Sequence, residues 1–245
     1  MKILLTNDDG INSVGIRCLA EWSRKLGEVT IIAPKVEQSG CAQGIDIKNA
    51  YEVKKSDAYS YLGIPAYSVD STPADCIRFA ADKLGTDFDI VFSGINNGFN
   101  IGYDIAYSGT CGAGFEANYA GMKAVSFSAP KDCVAASAAH LDTVWRYISE
   151  KGLLDYGDMY NVNIPPQMKK ILITEQGGTF YRDRFVNVGG DMYKAQVYLT
   201  RSLDGPFDLR YDADAVLSGY CSITPLTVNK TDGETMGKIR IKNSD

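Results

Sequence analysis

The 245-residue sequence predicts an α/β protein with a mostly parallel sheet, flanking helices and a C-terminal β-hairpin extension. Short apolar runs alternate with segments of helical periodicity over the first 165 residues, as in repeated strand–helix–strand units. Polar and glycine-rich clusters follow several of these runs, where parallel sheets form their ligand crevices. After Pro165 and Pro166 the pattern changes to alternating, tyrosine-rich runs. We therefore predict one α/β domain over residues 1–165 and a hairpin-rich extension over residues 166–245 that packs back on it.

The strands of the first domain are predicted from short apolar runs. The first run holds three consecutive apolar residues, which is typical of a parallel strand buried on both faces. Residues 45–62 alternate and are rich in tyrosine, which indicates strand and hairpin structure. The predicted strands are Lys2–Thr6, Val29–Ala33, Ala66–Val69, Phe88–Phe92, Lys123–Ser128 and Tyr160–Ile164.

The helices are predicted from apolar residues at helical spacing and from their end signals. Thr72 precedes Pro73, which predicts a helix capped by the threonine with proline at its first position. That helix runs through Leu84. The other predicted helices are Ile11–Gly27, Gly112–Gly121 and Val134–Ser149.

The C-terminal third, over residues 170–230, is predicted to form antiparallel hairpins that project from the sheet. Met192–Thr200 and Tyr220–Thr224 are its clearest strands. Because the edges of exposed hairpins need a partner, we expect oligomerisation through this region.

The most informative stretch is Asn7–Gly10, directly after the first strand. It places the adjacent carboxylates of Asp8 and Asp9 at the carboxyl end of a parallel strand. Neighbouring carboxylates repel each other unless a cation or hydrogen-bond donors lie between them, and hard divalent cations prefer oxygen ligands. We therefore interpret Asp8 and Asp9 as metal ligands. The alternative is an ordinary Asp-Asp-Gly turn with solvated carboxylates.

The glycine-rich segment Ser93–Gly112 is the second informative stretch. Its glycines suggest a close approach of the backbone to a ligand. Ser108, Gly109 and Thr110 lead into a helix, whose free N–H groups suit an anion. The alternative is an ordinary serine or threonine cap.

Composition and charge disfavour several function classes. The formal net charge is −5 and no cluster of lysine and arginine is present, so we expect no nucleic acid as a partner. No apolar run approaches the length of a membrane span and no export signal is evident, so we expect no membrane partner and a cytoplasmic location. The six cysteines show no zinc spacing, and His140 is the only histidine.

Other phosphate-binding motifs fit poorly. Gly10 and Gly15 have the glycine spacing of a P-loop, but Ile16 and Arg17 stand where lysine and serine or threonine are required. No GxGxxG follows a predicted strand, which disfavours a dinucleotide site. The adjacent aspartates also differ from the spaced pair expected of a phosphatase with an aspartyl nucleophile.

Seven ordered motifs together resemble the SurE family of survival-protein nucleotidases. They are NDDG at 7–10, SG at 39–40, TPxDC at 72–76, SGIN at 93–96, YSGT at 107–110, NVNIP at 161–165 and GYxSITPL at 219–226. The resemblance implies a Rossmann-like domain and a divalent-metal-dependent phosphatase acting on nucleoside 5′- and 3′-monophosphates. It also implies polyphosphate cleavage in some members, and homodimers or homotetramers formed through the C-terminal hairpins.

Residue by residue, the resemblance implies one metal ion per subunit held by Asp8, Asp9, Ser39 and Asn96. It assigns catalysis to Asp8 and Asp9, and contacts with the substrate phosphate to Asn96, Ser108, Gly109 and Thr110. Four oxygen donors, two of them charged, suit Mg²⁺ or Mn²⁺ and not zinc. The alternative function is a nucleotide-binding regulatory protein without catalysis.

The sequence departs from the family pattern beside two motifs. Gly44 and Asp46 stand where the family commonly has serine and threonine, and Ser71 stands where it often has glycine. We expect these changes to bear on loop conformation and substrate preference more than on the metal ligands.

Overall fold

The computed structural model describes residues 1–200 and 205–242. Within these residues, nine strands form one mixed sheet and two more form a separate antiparallel hairpin. Helices cover both faces of the main sheet, which confirms the predicted α/β class with a C-terminal hairpin. Residues 201–204 and 243–245 of the predicted extension lie outside the described part, and the proposed division into two domains stays a prediction.

The elements follow in chain order, with their bounds. The strands are β1 (Lys2–Thr6), β2 (Glu28–Pro34), β3 (Val53–Ser56), β4 (Ala66–Val69), β5 (Ile90–Asn97), β6 (Ala124–Ala129), β7 (Met159–Asn163), β8 (Ile171–Ile173), β9 (Tyr181–Gly189), β10 (Met192–Leu199) and β11 (Cys221–Pro225). The α-helices are α1 (Val14–Ser23), α2 (Pro73–Lys83), α3 (Gly109–Tyr119), α4 (Val134–Ala138), α5 (Leu141–Glu150), α6 (Asp212–Leu217) and α7 (Gly233–Lys242).

The order of strands in the main sheet is β3-β4-β2-β1-β5-β6-β7-β11-β8. From β1 the chain builds outward to β2 and β4, and it then returns to place β5 on the other side of β1. The two central strands are parallel, with Leu5 opposite Phe92 and Thr6 opposite Ser93. The direction of winding therefore reverses between β1 and β5, and their carboxyl ends meet at the position where open α/β sheets bind ligands.

Two apolar layers hold this arrangement in place. On one face, buried residues of α1 and α5, such as Leu19 and Val144, pack on Phe92 and Phe127 of the sheet. On the other face, α2 and α3 pack on β1 and β5 through small residues such as Ala80 and Ala113. Because Leu4 contacts one layer and its neighbours Ile3 and Leu5 the other, β1 is buried on both sides.

Several boundaries differ from the predictions. The helix predicted over Val134–Ser149 is two helices, α4 and α5, interrupted at His140. The α3 helix begins at Gly109, before the predicted Gly112, and β5 continues through Asn97. The Thr72 cap is confirmed, since the threonine hydroxyl accepts a hydrogen bond from the Asp75 amide at 3.1 Å.

The C-terminal segment is only partly a projecting hairpin. The β9 and β10 strands form that hairpin, but β8 and β11 belong to the main sheet. The prediction of a hairpin strand over Tyr220–Thr224 was therefore wrong, because β11 pairs antiparallel with β7 and parallel with β8. Across the described residues, no helix is both long and apolar enough to cross a membrane.

Candidate active site

Asp8 lies at the carboxyl end of β1 and is only 4% exposed. The Thr110 hydroxyl donates a hydrogen bond to Asp8 Oδ1 at 2.5 Å. Burial raises the pKa of Asp8 to about 6, against the lowering effect of the Thr110 hydrogen bond, and the nearby Asp9 charge raises it further. The buried position therefore disfavours the charged form of the Asp8 side chain relative to its neutral form.

Asp9 is half-buried and faces the end of β5. The backbone N–H of Asn97 donates to Asp9 Oδ2 at 3.0 Å. Burial raises the pKa of Asp9, and the charge of Glu37 adds to the increase. Neither Asp8 nor Asp9 takes part in an ion pair with any lysine or arginine of the described ranges.

Ser39 and Asn96 complete the set of oxygen donors implied by the sequence. Ser39 lies in the exposed loop after β2, where its hydroxyl donates to Glu37 Oε1 at 2.6 Å. This loop is bound to the end of β1, because the backbone N–H of Gln38 donates a hydrogen bond to the Asp8 carbonyl at 2.7 Å. The Asn96 amide nitrogen donates to the Gly98 carbonyl at 2.8 Å, which leaves its side-chain oxygen available to a ligand.

The start of α3 lies directly beside Asp8. Ser108 is the helix cap, since its hydroxyl accepts a hydrogen bond from the Cys111 N–H at 3.0 Å. A Cβ atom at Gly109 would lie 2.9 Å from Asp8 Cβ and 2.8 Å from Cys41 Sγ, so a side chain has no room there. The Thr110 hydroxyl is directed at Asp8. The predicted capping interaction is thus present, while phosphate binding by Ser108, Gly109 and Thr110 stays a prediction.

The structure therefore brings most of the predicted site residues to one edge of the sheet. Asp8, Gly109 and Thr110 are in direct contact, and Asp9 is bonded to the residue that follows Asn96. Within residues 1–200 and 205–242, no group of three or more histidine, cysteine or acidic side chains is arranged to hold a metal ion. The predicted set contains only two such side chains, and its other donors are a hydroxyl and an amide.

Sequence reasoning missed residues that orient this site through hydrogen bonds. The Asn97 side-chain oxygen accepts a hydrogen bond from the Asp132 N–H at 2.8 Å, which ties the end of β5 to the loop before α4. Buried Asn100 donates its N–H to Asn163 Oδ1 at 2.9 Å, and its carbonyl accepts from the Asn161 amide at 2.8 Å. The NVNIP motif could be recognised in the sequence, but nothing there identified Asn100, which lies more than 60 residues earlier, as its partner.

Two cavities flank the aspartates. One, of about 360 Å³, is lined by Asp9 and two further carboxylates, those of Glu37 and Asp132. The other, of about 430 Å³, includes Ser108 and lies along α3. The first cavity therefore opens onto Asp9, and the second reaches the site at Ser108.

Known proteins resemble this chain over nearly its whole length. The family model described as "Survival protein SurE" matches residues 3–183. The protein named 5′-nucleotidase SurE 1 from Thermus thermophilus is 35% identical over 241 residues, covering 94% of this chain and 93% of the relative. The 5′-nucleotidase SurE from Vibrio cholerae is 33% identical over 249 residues, covering 96% and 95% respectively. The crystal structure of the SurE protein from Aquifex aeolicus superposes with a TM-score of 0.79 at 29% identity, covering 99% of this chain and all of that one.

Proposed function

Because the chain belongs to the SurE family, we propose that it is a phosphatase that hydrolyses nucleoside 5′-monophosphates with one divalent metal ion per subunit. We extend the proposal to nucleoside 3′-monophosphates and to polyphosphate, which present the same phosphoryl group. The observation that carries it is the pair of carboxylates, Asp8 and Asp9, which lie beside the start of α3 and form no ion pair with a lysine or arginine of the described residues. The names of the relatives support the same reaction.

The residues present fit Mg²⁺ or Mn²⁺. Asp9 retains one carboxylate oxygen with no hydrogen bond inside the described ranges, whereas Asp8 accepts hydrogen bonds from Thr110 and from backbone N–H groups. Asn7 Oδ1 is a buried acceptor that also has no partner there, which is expected where a hydrated ion binds. All of these donors are oxygens, which hard cations prefer, and the small number of charged ligands leaves room for water.

We assign the ion to Asp8, Asp9, Ser39 and Asn96. When bound, it would polarise a phosphoryl oxygen and lower the pKa of a water molecule. The chain itself fixes the geometry: Thr110 holds the Asp8 carboxylate, and the Asn97 N–H holds that of Asp9. Both aspartates are therefore oriented before substrate arrives, which reduces the reorganisation required during reaction.

The first turn of α3 supplies the anion-binding part of the proposal. The N-terminus of a helix carries unpaired N–H groups and the positive end of its dipole. We propose that Gly109 lets this turn lie directly against Asp8, because any side chain there would meet the side chains of Asp8 and Cys41, and that the N–H groups of the turn bind the phosphate. Ser108 and Asn96 would donate to the phosphate oxygens, and either Asp8 or Asp9 would accept the proton of the attacking water as the P–O bond to the nucleoside breaks.

We also propose that the enzyme acts in the cytoplasm as a homodimer or homotetramer joined through the β9–β10 hairpin. Phe185 lies opposite Ala195 in this hairpin, so Phe185, Tyr193 and Val197 share one face. These three side chains are 71%, 62% and 66% exposed. Such a row of apolar side chains on a projecting hairpin favours burial against another subunit.

A phosphate-release assay tests the enzymatic proposal. Nucleoside 5′- and 3′-monophosphates and polyphosphate are incubated with Mg²⁺, Mn²⁺ or other divalent cations, and in parallel with a chelator. We expect release from the nucleoside monophosphates that requires the cation and stops in chelator. Binding of nucleotide without phosphate release under every condition would identify a regulatory binding protein and refute the proposal.

A further inference from the structure

The larger of the two cavities beside the aspartates, of about 430 Å³, has the composition of a small-molecule site. Its volume is within the range of roughly 300 to 1,000 Å³ that is typical of ligand pockets. Ile105, Phe115 and Leu226 provide apolar and aromatic surface, and Ser108 connects the cavity to the proposed phosphate position. A planar apolar group attached to a phosphate could therefore occupy both places at once.

The polar lining of this cavity is held in fixed orientations. The amide nitrogen of Gln43 donates to Glu116 Oε2 at 2.8 Å, and Glu116 in turn lies 3.8 Å from the Arg78 guanidinium. The amide nitrogen of Gln176 donates to the Gly102 carbonyl at 2.8 Å. These bonds fix the amide planes, and the side-chain oxygens of Gln43 and Gln176 then accept hydrogen bonds from a ligand while each nitrogen keeps a second N–H to donate.

The charge around the two cavities differs in sign. The smaller cavity is lined by the carboxylates of Asp9, Glu37 and Asp132 and by no lysine or arginine of the described residues. The larger cavity is lined by Lys230 and by no carboxylate from the same ranges. Glu37 and Asp132, which are not assigned to the metal ion, repel a phosphate dianion that approaches through the first cavity, whereas Lys230 attracts one that approaches through the second.

We propose that the cavity of about 430 Å³ along α3 binds the nucleoside portion of the substrate, an inference that rests on the proposed nucleotidase function. The base packs against Phe115 and Leu226. Hydroxyl or amino groups of the nucleoside donate to the oxygens of Gln43 and Gln176. The phosphate then reaches Ser108 and the aspartates from the positively charged side.

The test fills each cavity with a tryptophan and compares two substrates. Ala106 and Thr227 are exposed residues that line the larger cavity, and Ala135 is an exposed residue that lines the smaller one. The variants Ala106→Trp, Thr227→Trp and Ala135→Trp are assayed with AMP and with glycerol phosphate, which has no nucleoside. We expect the first two to lower kcat/KM for AMP by about tenfold or more, as loss of base stacking does, and to change glycerol phosphate turnover by less than about twofold. Ala135→Trp should leave the ratio of the two substrates unchanged.

An equal loss on both substrates in Ala106→Trp and Thr227→Trp would overturn the inference, as would a loss selective for AMP in Ala135→Trp. If the unmodified protein releases phosphate from neither ester, the proposed function is refuted. A binding measurement then tests whether the cavity holds a nucleoside. Adenosine binding is then measured by saturation-transfer NMR. Binding that is lost in Ala106→Trp supports the cavity as a nucleoside site, and binding that persists there, or is absent from the unmodified protein, refutes it.

Discussion

The Asp8→Asn variant separates the catalytic role of this residue from its effect on folding. Asparagine has nearly the same shape as aspartate, and its side-chain oxygen can still accept the hydrogen bond from Thr110. The substitution removes only the negative charge that we assign to the metal ion. We therefore expect phosphate release in Mg²⁺ or Mn²⁺ to be abolished while the fold remains intact.

The structure also sets the size of the stability change. Burial raises the pKa of Asp8 from an ordinary 3.8 to about 6, so the folded metal-free protein holds this proton more tightly than the unfolded chain does. This contribution favours folding fully below about pH 4 and is lost as the pH rises through about 6. At pH 8 the charged carboxylate therefore destabilises the metal-free protein by about 3 kcal/mol relative to its neutral form. Asp8→Asn, which has no charge, should be more stable by about that amount.

Urea unfolding in chelator measures this difference at pH 5 and pH 8. The gain in unfolding free energy should be about 3 kcal/mol at pH 8 and about half of that at pH 5, where Asp8 is mostly neutral in the folded protein but mostly charged in the unfolded chain. Asp57→Asn, at an exposed turn, serves as the control and should change neither stability nor turnover. Adding Mn²⁺ to 100 times its Kd should stabilise the unmodified protein by about 2.7 kcal/mol and leave Asp8→Asn unaffected.

Two results would refute the reasoning. Turnover in Asp8→Asn equal to that of the unmodified protein would remove Asp8 from the catalytic site. A variant that is less stable than the unmodified protein in chelator at pH 8 would show that the buried charge is compensated by a group other than a metal ion.

Two further predictions concern packing and assembly. Gly112→Ala places a Cβ atom 2.1 Å from a carbonyl oxygen of the loop after β2, so it should lower phosphate release strongly and stability by about 1–3 kcal/mol in urea unfolding. Gly237→Ala, with open space around it in α7, should leave phosphate release unchanged and should not lower stability, because alanine favours a helix more than glycine does. The double variant Phe185→Asp/Val197→Asp should convert the oligomer to monomers in light scattering, whereas Arg184→Asp on the opposite hairpin face should not. An unchanged molecular mass in the double variant would exclude this face from the interface.

The central strands could be predicted because their burial on both faces leaves continuous apolar runs in the sequence. The β11 strand itself was also predicted, but its place in the main sheet could not be, because its residues alternate as those of a half-exposed strand do. Its polar face is in fact buried, with Ser222 within 3.5 Å of the Asn163 amide and Thr224 within 2.8 Å of the Thr174 hydroxyl. Hydrogen bonds between residues 50 or more positions apart thus replace the apolar contacts that a periodicity argument expects.

The break between α4 and α5 has a similar cause. The alanine-rich segment around His140 contains no proline or glycine, so nothing local ends the helix. In the structure the His140 ring is bonded to the Pro166 carbonyl at 3.0 Å, and the Ser137 hydroxyl donates to the Ile164 carbonyl at 2.7 Å. These hydrogen bonds to the segment after β7 interrupt the helix between α4 and α5.

The chemical types of the site residues could be predicted, but their supporting partners could not. Asp8 and Asp9 were recognisable as adjacent carboxylates after a strand. Thr110 was expected to face a phosphate, whereas its hydroxyl is bonded to Asp8, 102 residues earlier. In the same way, the backbone N–H of Asn97 donates a hydrogen bond to Asp9, 88 residues earlier. Such pairings follow from the order of strands in the sheet, which the sequence pattern leaves open.

The departures from the family pattern form one structural unit around Asp75, which is fully buried at the start of α2. The Asp46 N–H and the Ser71 hydroxyl both donate to Asp75 Oδ2, at 2.8 and 2.6 Å, and the Thr72 hydroxyl donates to the Gly44 carbonyl at 2.7 Å. All of these bonds fix the loop that covers α3, and none includes a proposed metal ligand. We therefore expect changes at these positions to alter where the loop lies over the proposed nucleoside cavity, and with it substrate preference, while the proposed metal donors keep their places.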